Sequence, residues 1–171
     1  QFNITKRDAD IAIRYTVAPP EMLIGHRLTE VRHAVYGARR FAPRGRNHAD
    51  LSQLPWISPD DESTEYPLIN WMQQQGHERQ VVLRCSSTTT MAAAVQAGVG
   101  VGILSCFVAD SMKGLVRLSP LIRETDHEYW VLTHRELRDV ARAATVYAHL
   151  RKAFAALRPL FVGESARSGR A

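Results

Sequence analysis

The stretch Val81–Asp110 constrains the fold of this chain more than any other. Its first residues, Val81 to Arg84, form a short apolar run rich in β-branched side chains, which is typical of a buried strand. The segment CSSTTT follows at 85–90, and a Ser or Thr at a helix start can accept a hydrogen bond from an otherwise unpaired amide. The alanine-rich segment 91–97 favours helix. The pattern therefore predicts a strand, a tight turn and a helix.

A glycine and a second apolar run complete this unit. Gly98 is typical of the residue that ends a helix, and 99–104 predicts another buried strand that ends before Ser105, Cys106 and Phe107. Two strands joined through a helix predict a right-handed parallel crossover. In open α/β sheets the helix starts and strand ends of such units face a shared crevice that binds ligands. An α/β fold with a ligand crevice beside 85–90 is therefore expected.

Composition limits the classes to which the chain can belong. With 171 residues, 45% hydrophobic and 23% charged, it is long enough for one domain or two small lobes. It contains no apolar run of the ~18 residues that span a bilayer, and its first residues lack a signal-peptide pattern. Two cysteines are too few for a disulfide framework, so a cytosolic compartment is expected. The net charge of +5 favours nucleic acid as a partner of the parent protein, without assigning that contact to this segment.

The rest of the chain predicts further strands and helices. Residues 9–14 are continuously apolar in the manner of a strand in a parallel sheet, and 27–36 alternate so as to predict one long strand or two. Short strands are expected at 56–58, 115–118 and 129–134, and helices at 66–75 and 139–161.

Three patterns suggest functions that their surroundings do not favour. The glycines at 98, 100 and 102 follow a helix and open a strand, the reverse of the dinucleotide fingerprint, and more simply permit close packing. The basic loop 39–46 is interpreted as solvated, with a phosphate site as the weaker alternative. No GxSxG motif surrounds residues 86–88, so helix capping is the default there and an enzyme is not expected.

The two cysteines leave one alternative open. Cys85 and Cys106 form no CxxC motif and have no paired histidines, so no metal site is expected. A redox role for Cys106 requires a partly exposed thiol at the crevice. The alternative is a small buried side chain, as free cysteines usually are.

Several segments occur in the order in which they appear in one known family. They are ADIAIR, PPEMLIGHRL, HAVYGARRFAP, HADLSQLPWI, VVLRCSSTTTMAAAVQAGVGVGILSCF, GLVRLSP and EYWVLTHRELR. Over residues 8–161 the chain resembles the C-terminal effector-binding domain of LysR-type transcriptional regulators, which is similar to type 2 periplasmic binding proteins. The resemblance implies two Rossmann-like α/β lobes joined by two crossing strands.

The resemblance also implies a domain organisation. Residues 1–30 with 132–163 would form lobe one, 31–131 lobe two, and 164–171 a disordered tail. Lobe one would be incomplete. Its first part, the linker helix and the helix-turn-helix are expected upstream of Gln1.

The effector cleft of the family maps onto positions from both lobes. By resemblance the effector-binding residues are Arg14, Tyr15, Ile24, Gly25, His26, Ser86, Ser87, Thr88, Leu104, Ser105, Cys106, Phe107, Thr133 and His134, the last two at the return crossing. Relatives often carry Asn-Ser in place of Ser86-Ser87, Pro in place of Ser105 and Ser-Pro in place of Ala38-Arg39. The first two changes add hydroxyls to the cleft.

The resemblance predicts a sensor that performs no chemistry. A small metabolite would bind between the lobes, and the change would pass to promoter DNA through the helix-turn-helix of the parent protein. Arg14 and the helix start at 86–88 favour a carboxylate-bearing effector. A homodimer or homotetramer is expected, with no cofactor, metal or membrane partner. The alternative is a transport-type solute-binding protein, because the fold alone does not separate the two.

Overall fold

The computed structural model describes residues 9–15, 21, 23–43, 49–60, 66–137 and 140–164. These residues pack into two compact units. The first comprises the described parts of Gln1–Val31 and His127–Phe161, and the second comprises those of Arg32–Asp126 and Val162–Ala171. Apart from Glu164, the predicted disordered tail lies outside the described residues, as does the part of the basic loop at 44–46.

The described residues contain both strands and α-helices. In chain order they are β1 (Ile11–Tyr15), β2 (Leu23–Val31), β3 (His33–Ala38), β4 (Trp56–Pro59), α1 (Tyr66–Gln74), β5 (Val81–Cys85), α2 (Thr88–Gln96), β6 (Gly102–Ser105), α3 (Cys106–Ala109), β7 (Leu115–Arg117), β8 (His127–His134) and α4 (Ala141–Phe161). The predicted α/β class is confirmed.

The chain changes unit between Val31 and Arg32 and again between Asp126 and His127. The alternating segment 27–36 is therefore two strands, since β2 ends at the first of these boundaries. The resemblance implied boundaries at 30/31 and 131/132, and the assignment of the two units to the lobes of the family stays a prediction.

The first unit is a three-stranded sheet with a helix packed on it. β8 lies between β1 and β2 and runs antiparallel to both. Among the described residues β1 therefore has an antiparallel neighbour, because β8 separates it from the parallel strand β2. The ring of Tyr129 in β8 packs against Phe154 and Phe161 of α4, at centroid distances of 6.4 and 6.2 Å. The hydroxyl of Tyr147 in α4 lies 3.0 Å from the carbonyl oxygen of Val131.

The second unit contains the strand–helix–strand segment. β3 lies between β6 and β7, antiparallel to both, and β4 pairs in parallel with β5. A parallel bridge between Trp56 and Val101 joins the two groups, so the strands follow the order β5-β4-β6-β3-β7. Two hydrogen bonds of 2.8 Å accompany the bridge, from the Ile57 amide to Val101 and from the Val101 amide to Pro55. β5 and β6 thus run in the same direction, which confirms that the crossover through α2 is parallel.

β5 does not have the burial that its apolar sequence predicted. Val82 is 59% exposed and Leu83 is 36% exposed. Among the described residues β5 pairs with β4 alone, which makes it an edge strand of this unit. The prediction of a buried strand is therefore wrong for β5, although the strand itself is present.

The core of the second unit lies on both faces of β3 and β6. Successive side chains of a strand point to opposite faces, so alternate residues enter different clusters. One cluster contains Ala34, Tyr36, Leu104, Met91 and Val95, and the other contains Val35, Ile103, Trp56, Met72 and Leu118. The ring of Trp56 stacks on His77 with 4.2 Å between centroids, and burial lowers the pKa of His77.

The glycines around α2 and β6 have the structural roles that the sequence predicted. Gly98 has a φ of 80°, in the left-handed region, and its amide bonds to Val95 while that of Val99 bonds to Ala94, which ends α2. A Cβ at Gly100 would lie 2.6 Å from the carbonyl oxygen of Pro55. The close approach at Gly100 allows the segment that leads into β6 to pack against Pro55.

Replacing Gly100 by Ala should destabilise the second unit, because the clashing atom at Pro55 belongs to the backbone and cannot rotate away. We expect a loss of about 1–3 kcal/mol in the free energy of unfolding, typical of overpacking, measured by urea denaturation. The control Val99→Ala, at a neighbouring residue that is 46% exposed, should change this free energy by less than about 0.5 kcal/mol. Equal losses in the two variants would show that the close approach at Gly100 does not limit stability.

Candidate functional site

The start of α2 is the best-defined part of the candidate site. Ser87 has extended backbone angles, and its hydroxyl oxygen accepts a hydrogen bond from the Thr90 amide at 3.2 Å. The predicted capping role is confirmed for Ser87. Ser86 is exposed and Thr88 is half-buried. Among the described residues, none accepts a hydrogen bond from the amide of Thr89. Thr89 was not among the predicted site residues, although the amides of the first helical turn generally lack partners within the helix.

The end of β6 contributes mostly buried side chains. Leu104 and Cys106 are 1% and 0% exposed and belong to the core, and the amide of Cys106 bonds to the carbonyl oxygen of Arg32 at 2.9 Å. Ser105 is 6% exposed and precedes α3, but its hydroxyl caps no amide there. Phe107 is half-buried. Of this group, only Phe107 presents a substantial side-chain surface.

Parallel strands bring the two groups of the second unit to one edge. Residues 86–88 follow the carboxyl end of β5, and 105–107 follow that of β6. Because both strands run parallel to β4, their carboxyl ends lie at the same edge of the sheet. Asp60 follows β4 at this edge, and its amide bonds to the carbonyl oxygen of Cys85 at 3.1 Å. The described residues at this edge therefore include hydroxyls, a helix start and the carboxyl group of Asp60.

The predicted residues of β2 and β8 lie at one end of the sheet in the first unit. Ile24 pairs with Thr133, and Leu23 with His134. The hydroxyl of Thr133 donates to the carbonyl oxygen of Asp10 at 2.7 Å, and this side chain is 1% exposed. Thr133 and His134 lie near the end of β8, within the first unit, and the prediction that they stand at the return crossing between lobes stays a prediction.

Gly25 and His26 continue along β2 from that end. A Cβ at Gly25 would lie 2.6 Å from the Leu132 side chain, so the glycine is needed for packing within the sheet. His26 is exposed, and its ring meets that of Tyr147 edge-on at 5.6 Å. The imidazole of His26 is thus accessible on the surface of the first unit.

Arg14 and Tyr15 lie at the other end of the same sheet. Tyr15 pairs with Tyr129, whereas Thr133 pairs with Ile11 at the start of β1. The Tyr15 ring also contacts His127 edge-on, at 4.2 Å. The first unit therefore does not bring its predicted effector residues into one group, and Arg14 is half-buried opposite Trp130.

A buried polar network in the second unit was not predicted from the sequence. The hydroxyl of Tyr36 donates to Asp110 at 2.7 Å and accepts from the Nε of Arg117 at 3.1 Å. The Nη2 of Arg117 lies 2.7 Å from the other carboxyl oxygen of Asp110 and 3.2 Å from the carbonyl oxygen of Gly163. Burial raises the pKa of Tyr36, and the hydrogen bond with Asp110 adds to the rise. The sequence feature that could have indicated this network is an arginine inside the apolar run at 115–118.

The thiols are inaccessible. Cys85 and Cys106 are free and buried, and burial raises the pKa of both. A Cβ at Gly163 would lie 2.9 Å from the sulfur of Cys106, so this segment covers the thiol closely. The redox hypothesis is wrong in its premise that the thiol of Cys106 is partly exposed.

The described residues offer neither a cluster of metal-ligating side chains nor a membrane-spanning helix. They contain no group of three or more His, Cys, Asp or Glu side chains placed to hold a metal ion. No helix among the described residues is long and apolar enough to cross a membrane.

The comparisons with known proteins decide the family. Residues 3–155 match the family described as the LysR substrate binding domain. The chain belongs to this family. A search of curated proteins found no match to the sequence.

Solved structures of effector and regulatory domains share the fold. The effector domain of AmpR from Pseudomonas aeruginosa is 20% identical, with a TM-score of 0.66 over 92% of this chain and 77% of that one. The CrgA regulatory domain from Neisseria meningitidis is 17% identical, with a TM-score of 0.65 over 88% and 78%. The CcmR regulatory domain from Synechocystis PCC6803, solved in complex with 2-PG, is 18% identical, with a TM-score of 0.62 over 88% and 76%.

These findings confirm the resemblance and the type 2 periplasmic-binding-protein-like fold that it implied. The LysR substrate binding domain described here is an effector-sensing regulatory domain, and a transport-type protein is not favoured.

Replacing Ser87 by Ala in this LysR domain should destabilise it, because the Thr90 amide would lose its acceptor. We expect the free energy of unfolding to fall by about 0.5–2 kcal/mol, measured by urea denaturation. Ser86→Ala is the matched control, an exposed hydroxyl that caps no described amide, and should stay within about 0.5 kcal/mol of the parent. A larger loss for Ser86→Ala than for Ser87→Ala would contradict this assignment of the cap.

Both thiols of the folded domain should react slowly with a chromogenic disulfide reagent, because burial restricts access to the sulfur and raises its pKa. In urea the 2 cysteines should react at once. The variants Cys85→Ala and Cys106→Ala assign any native reactivity to one thiol. Rapid native reaction of Cys106 in the Cys85→Ala variant would restore the redox hypothesis.

Proposed function

We propose that this domain binds a small, carboxylate-bearing effector at the sheet edge that holds the start of α2. The supporting observation is the capped helix start itself. Ser87 uses its hydroxyl to satisfy the Thr90 amide, which leaves the neighbouring Thr89 amide and the exposed Ser86 hydroxyl to face a ligand. Backbone amides at a helix start, with the helix dipole behind them, favour an anion.

The carboxyl group of Asp60 favours effectors that carry little negative charge beyond a single carboxylate. It lies at the same edge, since it follows β4 and bonds through its amide to Cys85. A negative charge beside an anion site weakens the binding of multiply charged anions. An effector that carries a hydrogen-bond donor or an amino group beside its carboxylate therefore suits this edge better than a simple dicarboxylate.

The first unit contains further candidate contacts for the effector. The resemblance assigns contacts to Arg14, Tyr15, Ile24 and His26, and Arg14 supplies a guanidinium that suits a carboxylate. The CcmR regulatory domain, solved in complex with 2-PG, supports the view that a regulatory domain of this fold holds a small molecule.

The response would require differential affinity and no catalysis. An effector shifts a protein between two conformations only by binding one of them more tightly. The shifted state would alter how DNA-binding domains on the same polypeptide engage a promoter, in a homodimer or homotetramer in the cytoplasm. No turnover of the effector is expected.

A thermal-shift screen of small carboxylates, including amino acids, tests this proposal on the 171-residue chain and on the product of its whole gene. An effector at about 100 times its Kd should add about 2.7 kcal/mol of stability and raise Tm by about 5 °C or more. Ser86→Ala and Arg14→Gln should each weaken the shift, and Arg151→Gln, an exposed arginine of α4, should leave it intact. The proposal fails if no carboxylate raises the Tm of either protein.

A further inference from the structure

A pocket of about 450 Å³ lies in the second unit, beside the end of β7. Sites for small molecules usually span about 300–1,000 Å³. Its charged lining consists of Arg32, Arg117, Arg123 and Glu164, with Leu121 and Gly163 among the other walls. None of these residues is among those assigned to the effector.

Arg117 presents a fixed guanidinium to this pocket. Its Nε and Nη2 atoms bond to Tyr36, Asp110 and the carbonyl oxygen of Gly163. Its Nη1 atom donates to none of the described residues, and the side chain is 22% exposed. A guanidinium held in this way can bind an oxyanion without losing much further conformational freedom.

Arg123 sits on a well-anchored turn. The turn at 123–125 is fastened by the bond of the Ile122 amide to His33, at 2.9 Å, and by that of the Thr125 hydroxyl to Ile122, at 2.8 Å. The side chain of Arg123 is exposed and makes no ion pair with the described part of the chain. Its donors are therefore available to a ligand from a rigid support.

Arg32 adds a third positive charge at the point where the chain enters this unit. Its Nε lies 3.8 Å from a carboxyl oxygen of Asp126, which is ion-pair range but longer than a hydrogen bond. Three guanidinium groups thus face the pocket against the one carboxyl group of its lining, Glu164. Asp110 and Asp126 offset part of this charge from behind Arg117 and Arg32.

We propose that this pocket is a second ligand site, which binds a small oxyanion through Arg117 and Arg123. The planar fork of a guanidinium matches a carboxylate or a phosphate group. The site would act independently of residues 86–88 and of Arg14. An anion that attracts Arg32 competes with Asp126, and these two residues stand at two of the three places where the chain changes unit.

Isothermal titration of the chain with inorganic phosphate and with succinate, at constant ionic strength, tests this site. Saturable binding of phosphate alone points to a phosphorylated ligand, and binding of succinate alone to a dicarboxylate; either result supports the site.

Arg123→Gln should raise the Kd about tenfold, the effect of losing one charge-assisted partner. Glu164→Gln should lower it, because a negative charge leaves the pocket.

Arg79→Gln is the matched control. Arg79 is an exposed arginine of the same unit, it makes no ion pair with the described residues, and it does not line the pocket. Its substitution removes the same charge and should leave the Kd unchanged. The site is refuted if neither anion binds, if Arg79→Gln weakens binding as much as Arg123→Gln, or if Arg14→Gln abolishes binding that Arg123→Gln leaves intact. The last outcome would assign the anion to the proposed effector site instead.

Discussion

One guanidinium inside the second unit ties together segments that are far apart in the sequence. Arg117 of β7 bonds to Tyr36 of β3, to Asp110 after α3 and to Gly163 after α4. A charge withdrawn from water must be paired and hydrogen-bonded, since an isolated buried charge is strongly unfavourable. The Arg117 side chain can therefore be withdrawn from water only when these segments are in place to pair with it. The same bonds give the neighbouring pocket a rigid wall.

The sequence predicted the features that neighbouring residues determine. Hydroxyls before an alanine-rich segment indicated the cap at Ser87, and Gly98 indicated the end of α2, because both depend on the backbone of a single turn. Prediction from the sequence failed where the burial or the pairing of a strand depends on strands that are distant in the chain. The exposure of Val82 follows from the place of β5 at an edge, and the antiparallel neighbour of β1 arrives more than a hundred residues later in the chain.

The candidate site shows the same division. Residues 86–88 and 105–107 share an edge because two parallel strands end there, which the strand–helix–strand pattern was sufficient to predict. In the first unit the pairing register determines which predicted residues lie close together, and it places Tyr15 and Thr133 toward opposite ends of β8. Register depends on cross-strand packing that no local pattern records. The arginine pocket was missed for a similar reason, since Arg32, Arg117 and Arg123 come from separate segments.

The bond between Arg117 and Gly163 has a consequence for how the protein forms. These residues are 46 positions apart, and all of β8 and α4 lies between them. On the ribosome, Arg117 emerges well before the oxygen atom that completes its set of partners. Contacts of long sequence separation form late in folding because the loop between them must first close. The second unit therefore reaches its final structure only after β8 and α4 of the first unit have been synthesised.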